Sequence, residues 1–379
     1  MSQRYLAGFI QAGLFNPLAA PGAPTYTYEL WTWGSGGSGA LGLGNTTNYS
    51  SPKQVGALTT WLNISSGRYA ALATKTDGTL WSWGRNSVGQ LGLGNTTYYS
   101  SPKQVGALTT WSKVTARQNI AGAIKADGTL WTWGANATYG QLGLGDTTNR
   151  SSPVQVGALT NWANISFGSK HAIAIKTNGT LWSWGGNFEG ELGLGTSGAA
   201  NYKSSPNQVG ALTTWLNIAA GNICSFATKT DGTLWSWGGN GFGQLGLGNT
   251  TYYSSPKQVG ALTTWLNIVV RAHTIAIKTD GTLWSWGYNP FGQLGLGNTT
   301  NYSSPKQVGA LTTWLKISAG GYYTIAAKTD GTLWTWGSGY RGALGLGNIT
   351  NYSSPKQVGA LTTWSSISAG DASTIALKY

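Results

Sequence analysis

Hydrophobic and polar residues alternate along this chain in short runs, and the runs recur about every fifty residues. The first complete run predicts a β-hairpin, with strands at Ala70 to Thr76 and Thr79 to Gly84 joined by Asp77-Gly78. An Asp-Gly pair between alternating segments favours a two-residue type I′ turn, because its twist matches that of the strands. Comparable turns follow at Asp127, Asn178, Asp231, Asp280 and Asp330.

Each hairpin belongs to a longer repeat. The pentapeptide Leu-Trp-Ser/Thr-Trp-Gly occurs seven times, and its copies start 50, 50, 51, 53, 49 and 50 residues apart. Leu-Gly-Leu-Gly, Ser-Ser-Pro and Gln-Val-Gly-Ala-Leu-Thr follow each copy, and a third tryptophan comes after them. Further strands near Lys53 to Val55 and Trp61 to Ile64 give about four strands per repeat. Four-stranded units of this length are typical of propeller blades, so we predict an all-β, seven-bladed β-propeller.

Each end of the chain contains one strand of a hairpin but not the other strand. Six hairpin turns serve seven repeats, and Ser373 to Tyr379 is a first hairpin strand without a second. Its missing partner matches Tyr28 to Gly34 at the other end of the sequence. We therefore predict that these segments pair and close the last blade, which would remove exposed strand edges. The predicted domains are an N-terminal arm at residues 1–25 and the propeller at residues 26–379.

Residues 1–25 are apolar but do not resemble a signal peptide or a membrane span. Gln11, Asn16 and Pro17 interrupt the apolar run before it reaches the required length. We interpret the segment as a docking arm that anchors the protein to a protein partner or a larger assembly. Its candidate anchoring residues are Tyr5, Phe9, Ile10, Leu14 and Phe15.

Composition narrows the possible functions. The chain has 58 glycines and 21 tryptophans but only 9% charged residues, which fits an all-β protein rich in turns and buried rings. A single Cys224 and two histidines form no disulfide framework and no zinc motif, so no metal or other cofactor is predicted. Because the tryptophans recur in every repeat, packing between blades is favoured over a platform for sugars.

The formal charge of +13 raises the question of nucleic-acid binding. The lysines follow the repeat, however, and so form rings around the molecule instead of a stripe along one groove. This arrangement favours a role in solubility over polyanion or nucleic-acid binding. The two sets are Lys75, Lys125, Lys176, Lys229, Lys278, Lys328 and Lys378, and Lys53, Lys103, Lys257, Lys306 and Lys356.

The stretch from Asp77 to Gly94 resembles the repeat of the regulator of chromosome condensation family, and the resemblance covers residues 26–379. It implies a seven-bladed propeller whose termini share a blade, but not one function. Members include a nucleotide exchange factor for a small nuclear GTPase that also binds chromatin, membrane-traffic regulators and a secreted bacterial β-lactamase inhibitor. The family's Gly-x-x-His step is complete here only at Gly168 to His171, which argues against the exchange-factor function.

The repeats differ from one another mainly in two short windows. One precedes the first hairpin strand and the other follows Trp-Gly, so both are loops at strand ends, where scaffold proteins carry binding residues. The resemblance implies that the first window surrounds the channel mouth, where members of the family meet protein partners. Simple drift of these loops is the alternative. The predicted partner-binding residues are Arg68, Tyr69, Gln118, Asn119, Lys170, His171, Asn222, Arg271, His273, Tyr322, Tyr323 and Asp371.

No set of residues predicts catalysis. Glu189 and Glu191 are interpreted as a solvated loop pair, and His171 and His273 belong to non-adjacent blades. Three hypotheses of function remain. The first is a display or adhesion protein of a phage, another virion or an extracellular surface, anchored by its arm. The second is a soluble protein-binding regulator or inhibitor, which could be cytoplasmic. The third is a propeller that binds a glycan receptor or a polyanion.

Overall fold

The computed structural model describes residues 27–379, so the predicted arm and its residues Tyr5, Phe9, Ile10, Leu14 and Phe15 lie outside the described residues. The first fourteen strands are β1 (Glu29–Gly34), β2 (Tyr49–Gln54), β3 (Trp61–Ser66), β4 (Ala70–Lys75), β5 (Leu80–Gly84), β6 (Tyr99–Gln104), β7 (Trp111–Arg117), β8 (Ile120–Lys125), β9 (Leu130–Gly134), β10 (Arg150–Gln155), β11 (Trp162–Phe167), β12 (His171–Lys176), β13 (Leu181–Gly185) and β14 (Lys203–Gln208).

The remaining strands continue the same order. They are β15 (Trp215–Ala220), β16 (Cys224–Lys229), β17 (Leu234–Gly238), β18 (Tyr253–Gln258), β19 (Trp265–Val270), β20 (His273–Lys278), β21 (Leu283–Gly287), β22 (Tyr302–Gln307), β23 (Trp314–Ala319), β24 (Tyr323–Lys328), β25 (Leu333–Gly337), β26 (Tyr352–Gln357), β27 (Trp364–Ala369) and β28 (Ser373–Lys378). Residues 27–379 also contain three short 3-10 helices, which lie in loops at Gly37–Gly39, Ala199–Asn201 and Tyr340–Gly342.

These strands form seven antiparallel sheets of four strands, which confirms the predicted propeller. Blades 1 to 6 each use four consecutive strands, starting at β3, β7, β11, β15, β19 and β23. The first strand of each blade contacts the first strands of both neighbouring blades, so these strands surround the central channel. Blade 7 has the order β2-β1-β28-β27 and therefore contains both ends of the propeller.

Pairing of β1 with β28 confirms the predicted closure. The two strands are antiparallel, and Leu30 lies opposite Leu377 and Trp33 opposite Thr374. Since β28 also pairs with β27, it is an interior strand of its sheet with hydrogen bonds on both edges. The ring is closed by backbone pairing between residues more than three hundred positions apart in sequence.

The structure confirms the hairpin turns, but the predicted type I′ geometry is wrong. Gly78 N–H donates to Lys75 O at 2.9 Å and Lys75 N–H donates to Thr79 O at 3.0 Å, so Thr76 belongs to the turn. Only Gly78 is left-handed, with φ of +77°. This is a type I turn followed by a bulge at glycine. Asp77 stabilises it by accepting hydrogen bonds from Thr79 N–H at 2.9 Å and Thr79 Oγ1–H at 2.6 Å, which also lower the pKa of Asp77.

The three tryptophans of each repeat pack the junctions between blades, as predicted. In blade 1, Trp83 is fully buried and its indole N–H donates to Ala40 O of blade 7 at 3.1 Å. Trp61 stands edge-on to Trp83 and to Trp81, with ring centroids 6.2 Å apart in both pairs. Burial of one such ring removes on the order of 150–250 Å² of surface from water. The recurring tryptophans therefore hold each blade against the preceding one.

Candidate partner-binding face

Both variable windows lie on the same face of the propeller. Within a blade, neighbouring strands are antiparallel, so the loop after the first strand and the loop after the third strand emerge at one end. In blade 1, Arg85 N–H of the outer loop donates to Tyr69 O of the inner loop at 2.8 Å. We call this end the variable face. The seven connections between blades lie on the opposite face.

Three of the predicted residues, Arg68, Arg271 and Asp371, meet at the channel mouth. Arg271 donates from Nη1 to Asp371 Oδ1 at 2.8 Å, and Arg68 Nε lies 3.3 Å from Asp371 Oδ2. Arg271 also donates to Ala319 O at 3.1 Å and to Ala369 O at 3.0 Å. These contacts join blades 1, 5, 6 and 7. Asp371 is therefore occupied by two arginines of the same chain.

A second arginine crosses the channel, and the sequence analysis missed it. Arg117 of blade 2 donates to Asn222 Oδ1 at 2.8 Å and to Val270 O at 3.4 Å, which joins blades 2, 4 and 5. Arg117 and Arg271 occupy a repeat position that is glycine in the other five blades, as Gly67 is in blade 1. An arginine at a repeat position that is otherwise glycine is the sequence signal that could have identified this pair. Both side chains are buried.

We predict that Arg271 stabilises the fold and that Arg68 hardly does. Replacement of Arg271 by alanine removes one of the two arginines that bind Asp371 and leaves the Ala319 and Ala369 carbonyl groups without this donor. Because hydrogen bonds to a charged group contribute more than neutral ones, the free energy of unfolding should fall by about 3–5 kcal/mol. Arg68 is half exposed, and Arg68→Ala should cost under about 1 kcal/mol. Urea unfolding of both variants measures the difference. If both variants lose the same free energy of unfolding, the buried contacts of Arg271 stabilise the fold no more than the exposed ion pair of Arg68 does.

Three other predicted residues are buried and connect adjacent blades. His171 Nε2 lies 2.9 Å from Ser225 Oγ of blade 4, and His273 Nε2 lies 3.0 Å from Thr324 Oγ1 of blade 6. Tyr323 O–H reaches Ser373 O of blade 7 at 2.7 Å. Together with Arg271, these side chains lie inside the protein and offer no surface to a partner.

The remaining predicted residues reach the variable face to different extents. Arg68, Lys170 and Tyr322 are exposed. Half-buried residues are Tyr69, Gln118, Asn119, Asn222 and Asp371. Arg68 lies over the Tyr69 ring, 5.3 Å from its centroid, and Asn119 Oδ1 accepts from Gln90 Nε2 at 3.3 Å. Partner binding by these residues stays a prediction.

An exposed set of aromatic side chains lies across three neighbouring blades of the variable face. Phe242 of blade 4 packs on Tyr288 of blade 5 with centroids 4.5 Å apart. Tyr322 of blade 6 lies 6.0 Å from Tyr288 and 5.3 Å from Phe291. Phe242 and Tyr322 remain 44% and 49% exposed. We call these four residues the aromatic arc. Three of them, Phe242, Tyr288 and Phe291, lie in the variable loop after Trp-Gly, for which the sequence predicted no particular role.

The opposite face carries a ring of exposed leucines beside recurring cavities. Two of the cavities have volumes of about 460 and 390 Å³ and are lined by equivalent residues, with Leu212, Lys229 and Trp235 in the first. The seven leucines are each about half exposed: Leu58, Leu108, Leu159, Leu212, Leu262, Leu311 and Leu361. Every repeat has the same residue types at these lining positions.

The recurring lysines of this face cover tryptophan rings. Lys229 Nζ lies 3.8 Å from the centroid of Trp235 and 5.1 Å from that of Trp215. Lys75 and Lys328 make the same contacts in their blades and are almost fully buried. Burial lowers the pKa of both lysines. These ammonium groups therefore pack on indoles, and a role of this set in solubility stays a prediction.

Comparison with known proteins identifies the architecture. A model of the RCC1-like domain matches residues 30–376. The chain belongs to the RCC1-like domain family. The solved structure of Prp20p from Saccharomyces cerevisiae superimposes with a TM-score of 0.84 at 20% sequence identity, covering 94% of this chain and 92% of that one. At this identity, the likeness shows the RCC1-like fold alone.

Similarity to proteins with curated functions covers shorter stretches. The chain is 34% identical over 115 residues to the ultraviolet-B receptor of Arabidopsis thaliana, which is 29% of this chain and 26% of the receptor. It is 36% identical over 119 residues to the X-linked retinitis pigmentosa GTPase regulator of Canis lupus familiaris, which is 30% of this chain and 12% of the regulator. The matched parts are therefore minor fractions of these relatives.

Two further observations apply to the described part of the chain. None of the helices in residues 27–379 has the length and apolarity needed to cross a bilayer. Within the same residues, no three histidine, cysteine, aspartate or glutamate side chains come together as a metal site would require.

Proposed function

We propose that this RCC1-like propeller is a non-enzymatic protein-binding regulator and that it binds its partner through the variable face. The observation that carries the proposal is the aromatic arc. Contiguous exposed aromatic side chains on a soluble protein mark interaction sites, and tyrosine, phenylalanine and arginine are enriched in the cores of interfaces. Prp20p, which has the same fold, binds Gsp1p and histones, so partner binding by such a propeller has a precedent.

The other two hypotheses have less support. The display hypothesis depends on an arm outside the described residues, and none of the relatives reported above points to a virion or an extracellular surface. A glycan platform made of tryptophans has less support, because lysines cover the half-buried tryptophans of the opposite face. Glycan and polyanion binding stay predictions.

We expect loss of the aromatic arc to abolish partner binding. The double variant Phe242→Ala/Tyr322→Ala removes two exposed rings that would lie at the centre of the interface. Because truncation of such anchors typically costs 2 kcal/mol or more, binding should weaken by at least about thirtyfold. The measurement is affinity capture from an extract of the source cells, followed by titration of the captured protein after purification.

The matched control is Leu262→Ala/Leu311→Ala on the opposite face. These leucines are 48% and 50% exposed, so the control removes a similar apolar area. A partner bound equally well by the wild-type protein and the arc variant, but lost by the leucine variant, would place the binding site on the opposite face and refute the proposal. Thermal unfolding of both variants checks that each keeps its fold.

A further inference from the structure

The irregular repeats of the chain build one site together. Two repeats are longer than the others. The Leu-Trp-Ser/Thr-Trp-Gly segments of blades 2 and 3 are followed by the next copy after 51 and 53 residues. The additional residue of blade 2 lies in the segment Asn136 to Tyr139, and those of blade 3 precede Tyr202. Although they come from different blades, Tyr139 and Tyr202 meet on the variable face with ring centroids 5.5 Å apart. Phe188 completes the cluster at 5.6 Å from Tyr139 and 4.9 Å from Tyr202.

A cation already occupies the groove between two of these rings. Lys170 Nζ lies 4.7 Å from the centroid of Tyr139 and 4.7 Å from that of Phe188. Distances within about 6 Å give an attractive cation–π interaction. Lys170 is exposed and forms none of the ion pairs found in residues 27–379. The rings, and not a carboxylate partner, therefore hold this ammonium group.

Three residues shape the surroundings of the groove. Thr138, a β-branched residue, adopts a left-handed φ of +77° directly before Tyr139, which is a strained conformation of the kind found at binding sites. Gly186 leaves room for the lysine, because a Cβ there would lie 3.3 Å from Lys170 Cβ. Glu191 replaces the glutamine of the equivalent position in blades 1, 2, 4 and 5. It is buried, so its interpretation as part of a solvated pair is wrong, and burial raises its pKa to about 7.

We propose that the groove between Tyr139 and Phe188 recognises the ammonium group of a lysine side chain presented by a protein partner, with Lys170 as its resident occupant in the free protein. The proposal rests on the proposed function, since it names the chemistry that the partner brings to the variable face. Displacement of Lys170 is inexpensive because its ammonium group is exposed and returns to water. The incoming lysine gains both ring faces that now hold Lys170.

The test measures cation binding without any partner. Nα-acetyl-lysine methylamide is titrated into the wild-type protein and into Lys170→Ala, and tyrosine ring signals are followed by NMR. Lys170→Ala should bind the lysine probe about two- to fivefold more tightly than the wild-type protein does. The reason is that the probe no longer has to displace an exposed cation–π contact, which is worth a factor of this size. The norleucine analogue keeps the four-carbon stem without the ammonium group and should not bind. Phe188→Ala should abolish lysine binding, while Phe242→Ala, which removes a similarly exposed ring of the aromatic arc, should leave it unchanged.

Each result decides the proposal. If Lys170→Ala binds the lysine probe no more tightly than the wild-type protein, or if norleucine binds equally well, the groove is not a lysine site. If tetramethylammonium binds more than about tenfold more tightly than the lysine probe, the site takes a quaternary ammonium ion and the lysine assignment is overturned. Failure of the proposed function would give a different result. The variant Phe242→Ala/Tyr322→Ala would then still bind the partner, whereas the results of the lysine titration would not change.

Discussion

Deletion of residues 373–379 should unfold the propeller. The deletion removes β28, whose neighbours β1 and β27 then lose their shared hydrogen-bonding partner and become unpaired edges. Ile375 and Leu377 are buried in the same apolar cluster as Trp61 and Trp83, so blade 1 loses part of its packing as well. Burial of each of these two side chains contributes roughly 1.5–3 kcal/mol. The two side chains together account for about 3–6 kcal/mol, a large part of a typical total stability of about 5–15 kcal/mol, and the lost strand pairing on both edges of β28 adds to this loss.

Circular dichroism during heating measures the effect. The parent protein should unfold in one cooperative transition, and the truncated protein should show none and should aggregate through its open edges. A synthetic peptide of residues 371–379, added during refolding, should restore the transition if the missing strand is the cause. Removal of Tyr379 alone is the control, because this residue follows the last strand. A truncated protein that keeps the parent's cooperative transition would contradict the closure.

Prediction of the fold from the sequence succeeded because the repeat samples the same structure seven times. The half-hairpins at Tyr28 to Gly34 and at Ser373 to Tyr379 could be matched by pattern alone, and their pairing is confirmed. The turn type could not be predicted from Asp77-Gly78 alone, because it depends on hydrogen bonds to residues outside this pair. Gly78 N–H donates to Lys75 O, which places Thr76 in the turn, and Thr79 donates twice to the Asp77 carboxylate. Local hydrogen bonding decided between two turns that the same dipeptide allows.

The candidate site was harder to predict, because variation between repeats has two physical causes. Some variable positions, such as His273 and Arg271, face a neighbouring blade or the channel, and each meets a different partner there. Others, such as Tyr322, face solvent. A linear comparison of repeats does not separate these cases. The cluster around Lys170 was missed for a related reason, since Tyr139 and Tyr202 meet only when two blades are assembled.

The two buried histidines should make the protein sensitive to mild acid. Ser225 Oγ–H donates to Glu191 O at 2.9 Å, so the hydroxyl oxygen accepts from His171 Nε2–H. Thr324 donates to Gln293 O at 2.9 Å and accepts from His273 in the same way. Both imidazoles therefore carry their proton on Nε2, and Nδ1 is buried without a partner in the described residues. Protonation would place an unsolvated charge there.

Burial, with the nearby charge of Arg117, lowers the pKa of both histidines from 6.5 to about 3. Because the unfolded chain then binds protons first, the stabilising effect is complete above about pH 6.5 and is lost as the pH falls towards 3. The slope is about 1.4 kcal/mol per pH unit for each histidine. Between pH 6.5 and 4.5, the two together should lower the free energy of unfolding by about 5 kcal/mol.

Glu191 opposes this effect and must be removed to measure it. Its pKa is raised to about 7, so the folded chain binds this proton first and gains stability as the pH falls below 7. The variant Glu191→Gln, which restores the residue type of most other blades, eliminates that gain. Urea unfolding of this variant between pH 6.5 and 4.5 should show the full histidine slope. The wild-type protein should show a shallower one.

A triple variant provides the decisive comparison. Replacement of His171 and His273 by glutamine in the Glu191→Gln protein retains an N–H donor near each Nε2 position but removes the titrating ring. Its stability should be nearly independent of pH between 6.5 and 4.5, because the hydrogen-bonded turn aspartates have lowered pKa values and remain ionised in this range. An unchanged slope in the triple variant would show that other groups cause the acid sensitivity and that the buried histidines are protonated without cost to the fold.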